Sequence, residues 1–146
     1  MSGFLRCCCV LAIAFLLVGC GGFTPDSGVK VTGKITKGGA PLNVPNMEAK
    51  VGTIKVDLVP VHAGPQDDRS KSGAFQEPNG TFLILGDGKG VKPGKYKVSI
   101  VANPGNGKDD LQGKFDGSAS KIEVDIAEKN VGGTQDLGTL ELDSYK

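Results

Sequence analysis

The chain has 146 residues, about one domain, and its 17 Lys and Arg nearly cancel its 16 Asp and Glu, leaving a formal charge of +1. So even a balance gives no basic face and argues against nucleic acid as a partner. The 23 glycines and 8 prolines make up 31 of the 146 residues, roughly 21% against a usual ~12%, and show no collagen-like period of three. They predict a turn-rich all-β structure. All four cysteines, Cys7, Cys8, Cys9 and Cys20, fall in the first twenty residues, and the chain holds one histidine, His62. That placement argues against a disulfide framework or a zinc site in the folded part.

The chain opens with one positive charge, Arg6, followed by an uncharged apolar run from Cys7 to Val18 (CCCVLAIAFLLV). This is the layout of a signal peptide: a basic start, a short apolar stretch, small residues. As a helix, twelve residues cover about 18 Å at ~1.5 Å each. A bilayer core is ~30 Å thick and takes ~20 apolar residues. An uncleaved anchor helix is the alternative, but Gly19, Gly21, Gly22 and Pro25 are poor spanning residues.

Leu17-Val18-Gly19-Cys20 at the end of that run resembles the lipobox of bacterial lipoproteins. In that pattern Leu17, Val18 and Gly19 are read by the signal peptidase. The resemblance implies diacylglycerol on the Cys20 thiol, cleavage between Gly19 and Cys20, and acylation of the new amino group with a palmitate-type chain. The partner it implies is membrane lipid. An ordinary signal peptide that happens to contain a cysteine is the competing reading. Gly21 stands where an Asp would mark inner-membrane retention, so the outer membrane is favoured. Residues 1–19 are then the lipoprotein signal peptide, 20–28 the lipidated Cys and tether, and 29–146 the folded domain. The tether from Gly21 to Gly28 (GGFTPDSG) reaches at most about 28 Å at ~3.5 Å per residue.

From Val29 the pattern has period two. Val29, Val31 and Ile35 alternate with Lys30, Thr32 and Lys34, and Lys37-Gly38-Gly39 signals a turn. Asn43 to Val51 has no clear period, and Pro45 argues against a central strand. Ile54, Val56 and Leu58 form a strand that Pro60 ends, and Ser72 to Gln76 predicts a short edge strand. After the Asn79-Gly80 turn, Thr81 to Leu85 reads as buried on both sides. Tyr96, Val98, Ile100 and Ala102 alternate with outward Lys95, Lys97 and Ser99. Asn103 to Ser120 is rich in Gly and Asp, with Leu111 and Phe115 as local anchors. Ile122, Val124 and Ile126 form a further strand, and Leu137, Leu140 and Leu142 close the chain. About seven short alternating strands predict a β-sandwich with one face of each sheet solvated.

Four short elements in this order resemble carboxypeptidase-regulatory-like, transthyretin-like domains. They are Val31-Thr32-Gly33-Lys34-Ile35 with Gly39-Ala40-Pro41-Leu42, then Ile54 to Pro60, then Asn79-Gly80-Thr81-Phe82, and finally Val91 to Val98 (VKPGKYKV). The resemblance covers about residues 29–142. It implies a prealbumin-like Greek-key sandwich, no catalytic residues and no cofactor. Two departures stand out: a longer Asn43–Gly52 segment, and Asn79 in place of the usual Asp. Independently, Pro93-Gly94-x-Tyr96 predicts a turn with Gly94 at positive φ and Tyr96 as a core ring whose hydroxyl bonds nearby backbone, a tyrosine corner.

Little else points to chemistry. His62 has no cysteine or nucleophilic-serine motif beside it. Asp67-Asp68, Asp87, and Asp109-Asp110 with Asp116 could offer oxygen ligands, but none has calcium-loop spacing. Gly86-Asp87-Gly88-Lys89-Gly90 lacks the ending of a phosphate loop. Asn79-Gly80-Thr81 fits a glycosylation acceptor but reads as a turn. Phe75, Phe115 and Tyr145 are the aromatics available to a sugar-binding face. The sequence therefore predicts a non-enzymatic, lipid-anchored envelope protein with a structural or protein-binding role. A peptide- or carbohydrate-binding accessory module is the alternative.

Overall fold

The computed structural model describes residues 28–61, 69 and 71–145. The predicted signal segment, Cys20 with the tether up to residue 27, His62 and Asp67-Asp68 lie outside them. The described chain is all-β, with two sheets packed face to face.

The first sheet is built on β1 (Lys30–Lys37), flanked by β5 (Thr81–Ile84), the two-residue β2 (Ala40–Pro41) and β8 (Thr134–Glu141). The second runs β4 (Ser72–Phe75), β3 (Thr53–Pro60), β6 (Gly94–Asn103), β7 (Glu123–Ile126). Period-two patterning turns Val31, Ile35, Phe82, Ile84 and Leu140 of one sheet against Ile54, Val56, Leu58, Tyr96, Val98 and Ile100 of the other, all buried. The β1–β2 hairpin closes through Gly38 and Gly39 at φ +62° and +78°. Two consecutive positive φ angles are what a two-residue turn matching the strand twist requires.

Eight strands form where seven were expected, because the short β2 is added. All ladders are antiparallel except that of β1 and β8, the first and last strands, which run parallel. Between Thr32 and Lys34 of β1, β8 advances three residues, from Asp136 to Thr139. This is a bulge at Leu137–Gly138, with Gly138 at φ +70°. It explains how Leu140 points inward although Leu137, three residues earlier, also packs against the core.

Two sequence expectations need correction. Thr81 to Leu85 is not buried on both sides: Phe82 and Ile84 are buried, while Leu83 is 48% and Leu85 43% exposed. Among the described residues no second layer covers the outer face of that sheet, so the strand alternates. Ser99 does point outward, but residues 115–120 cover it: its Oγ donates to Asp116 Oδ1 at 3.1 Å and accepts the Gly117 N–H at 2.8 Å. On the outer face of β3, Asp57 is buried under Lys71 (2.9 Å) and Lys55 (3.3 Å), directly across from Gly73.

Strand directions define two ends. The Gly28 end carries the end of β3, the start of β4 and the connections 85–93 and 127–133; the opposite end carries the 38–39 turn and the segments 42–52, 76–80, 104–112 and 142–145.

Candidate functional site

A concavity of functional size lies toward the opposite end, between the long β6–β7 connection and the 142–145 turn. The β6–β7 connection is pinned by one carboxylate. Asp109 Oδ1 accepts the N–H groups of Ala102 (2.9 Å) and Leu111 (3.0 Å), and Oδ2 accepts that of Gly113 (2.7 Å). A carboxylate so engaged serves as a main-chain clamp. The Ile100 N–H donates to the Phe115 carbonyl at 2.8 Å, continuing the attachment to β6. Leu111 and Phe115 are thereby turned into the core, as local anchors. This removes Phe115 from the set of rings available to a sugar.

The C-terminal wall is the 3₁₀ turn Leu142–Tyr145. It is held to the β1–β2 hairpin by two carboxylates. Glu141 Oε1 and Oε2 accept the Gly38 and Gly39 N–H groups at 2.9 and 3.0 Å, and Asp143 Oδ2 accepts that of Gly38 at 3.0 Å. The Gly39 N–H, foremost, holds the Glu141 carboxyl below its ordinary value, because it bonds the ionised form. Between these walls lies a cavity of about 590 Å³, floored by Leu111, Phe115 and Leu142 and rimmed by Tyr145, Lys37, Lys114 and Lys121. That volume falls in the range of small-ligand sites, ≈ 300–1,000 Å³. The signal in the sequence was thin: Leu142 and Tyr145 following the last strand.

A more open groove of about 670 Å³ crosses the outer face of the β1–β5–β8 sheet, where Leu83 and Phe75, 63% exposed, sit among Thr32, Lys34 and Thr139. Tyr145, the third ring weighed for sugar binding, is half-buried against the core.

Among the predicted site residues, Leu17, Val18, Gly19 and Cys20 lie outside the described residues. Gly94 has φ +138°, Tyr96 is fully buried, and its hydroxyl donates to the Lys92 carbonyl at 2.7 Å. The Arg69 guanidinium stands 5.5 Å from the centre of the Tyr96 ring, within cation–π range. Asn79 Oδ1 accepts from the N–H and the hydroxyl of Thr81, so this side chain is used by its own turn. Among the described residues no group of three or more His, Cys, Asp or Glu side chains is placed to hold a metal ion.

The fold and this cavity define an all-β two-sheet sandwich with a lysine-rimmed apolar hollow. No protein-family model matches the chain, and no curated protein matches it.

Proposed function

We propose that this protein is an envelope lipoprotein. In this reading an acylated Cys20 and a short tether present a non-catalytic β-sandwich with a structural or protein-binding role, on the outer membrane in preference to the inner. One observation carries it: Leu17-Val18-Gly19-Cys20 closes an uncharged apolar run only eight residues before the sandwich begins at Gly28. Several acyl chains hold a protein far more firmly than one, since each buried CH₂ adds ~0.8 kcal/mol. The resemblance of residues 29–142 to carboxypeptidase-regulatory-like, transthyretin-like domains supports an accessory role without cofactor. Replacing Cys20 with Ser tests the anchor. The expected result is release from the membrane fraction and loss of the acyl mass; unchanged fractionation and mass would overturn it. Crosslinking in the native envelope tests the protein-binding role, and recovery of no partner above background counts against it.

A second reading is a peptide- or carbohydrate-binding accessory module; the cavity floored by Leu111, Phe115 and Leu142 supports its peptide arm, since the buried Phe115 offers no ring face to a sugar. An apolar floor with a few polar groups at its rim suits a ligand that brings both kinds of surface.

A further inference from the structure

We infer that the Gly28 end of the sandwich is a seating surface for the anionic headgroups of the bilayer that holds the anchor. This rests on the lipoprotein reading. Three independent features converge on the point where the tether enters the fold.

The first is geometry. Gly28 is clasped between two connections: its N–H donates to the Lys89 carbonyl, and its carbonyl accepts the Gly132 N–H at 3.0 Å. Whatever the path of the preceding residues, the chain leaves the sandwich between the 85–93 and 127–133 loops. The eight residues from Gly21 to Gly28 reach at most about 28 Å, so these loops stay within that distance of the lipid.

The second is apolar exposure. Each of the two loops presents one branched apolar side chain to solvent: Leu85, and Val131 at 39%. Placed at a headgroup layer, such tips gain burial that water denies them.

The third is charge. Lys30, Lys89, Lys92 and Lys129 stand at this end against Asp87 and Glu128. Arg69 and Lys71, also toward this end, stand against the Tyr96 ring and the Asp57 carboxylate. The opposite end, with the lysines on the cavity rim, is close to balanced: Glu48, Glu77, Asp109, Asp110, Glu141 and Asp143 against Lys37, Lys50, Lys108, Lys114 and Lys121. In a chain without net side-chain charge from Cys20 onward, the basic excess among these described residues thus stands at the tether. Anionic lipid attracts juxtamembrane lysines, and the attraction fades within a Debye length. A free protein would not be recruited by so few charges. A tethered one has an effective concentration on the order of millimolar at the surface, so weak attraction is enough to set its orientation. β1 spans about 26 Å at ~3.3 Å per residue, so seating this end turns the Lys37–Tyr145 cavity away from the membrane.

The test uses the full lipidated protein in vesicles of phosphatidylethanolamine and phosphatidylglycerol. Acylation consumes Cys20, the only cysteine after Gly19, so one introduced thiol takes a fluorophore uniquely. V131C reports the Gly28 end, and V51C, at a position 57% exposed, reports the opposite end. A bromolipid quencher should quench the first label at least about threefold more than the second, and the contrast should collapse in pure phosphatidylcholine, at high salt, or with K89E/K129E. Equal quenching of the two labels in a sample whose mass confirms acylation would overturn the seating alone. An unmodified Cys20 in the same mass measurement would overturn the anchor, and the seating with it.

Discussion

Gln135 Nε2 donates to the main-chain carbonyl of Asp125 at 2.8 Å, and its Oε1 accepts the Ala127 N–H and Asn130 Nδ2, each at 2.9 Å. Gln135 belongs to β8 and Asp125 to β7, strands of different sheets. One side-chain amide thus spans the corner where no backbone ladder joins the sheets, and it does so from both of its ends.

Gln135→Ala should therefore cost about 0.5–1.5 kcal/mol, because an N–H and a carbonyl near the surface exchange their partner for water. Gln135→Glu should cost a similar amount, since an acceptor would replace the donor facing the Asp125 carbonyl. Denaturant midpoints measure the loss, and amide exchange should quicken first at Ala127. A midpoint unchanged in both variants would show that the corner holds without the amide.

Gly33 and Phe82 are direct cross-strand partners, and a Cβ on Gly33 would come within 2.7 Å of the Phe82 ring. Gly33→Ala should cost about 1–3 kcal/mol by overpacking. Adding Phe82→Leu should recover part of that loss, so the two changes should be non-additive in a double-mutant cycle. Strict additivity would mean that the ring does not rest on the glycine.

The pH dependence follows from Glu141. Its carboxyl titrates lower in the folded protein than in the unfolded chain, foremost because it accepts the Gly39 N–H. The unfolded state then binds more protons over the window between the two values. The stabilisation is fully present above the ordinary carboxylate range and is lost as pH falls through the lowered folded value. Glu141→Gln should flatten this acid limb of the stability curve, and chemical denaturation at stepped pH measures it. An acid limb identical to that of the natural chain would place the titration elsewhere.

Much of the architecture is legible in the amino-acid order. Val31/Ile35, Ile54/Val56/Leu58 and Tyr96/Val98/Ile100 marked strands by spacing alone, and Gly38-Gly39, Asn79-Gly80 and Pro93-Gly94 marked turns. The candidate cavity was not legible. Its floor joins Leu111 and Phe115 to Leu142, and its rim joins Lys37 to Tyr145. Nothing local announces that two distant segments share a wall.

What the amino-acid order determined by itself was the alternation and the turn positions, because each depends on residues a few places apart; the resemblance of Leu17-Val18-Gly19-Cys20 to a lipobox is local in the same way. Tertiary structure alone decided that β8 returns beside β1 in parallel, that a bulge at Gly138 resets its facing, and that Leu83 and Leu85 are exposed. The physical reason is that period two sorts side chains onto two faces of a strand. Which face becomes the interior depends on what packs against it, and that is a property of strands far apart in the chain.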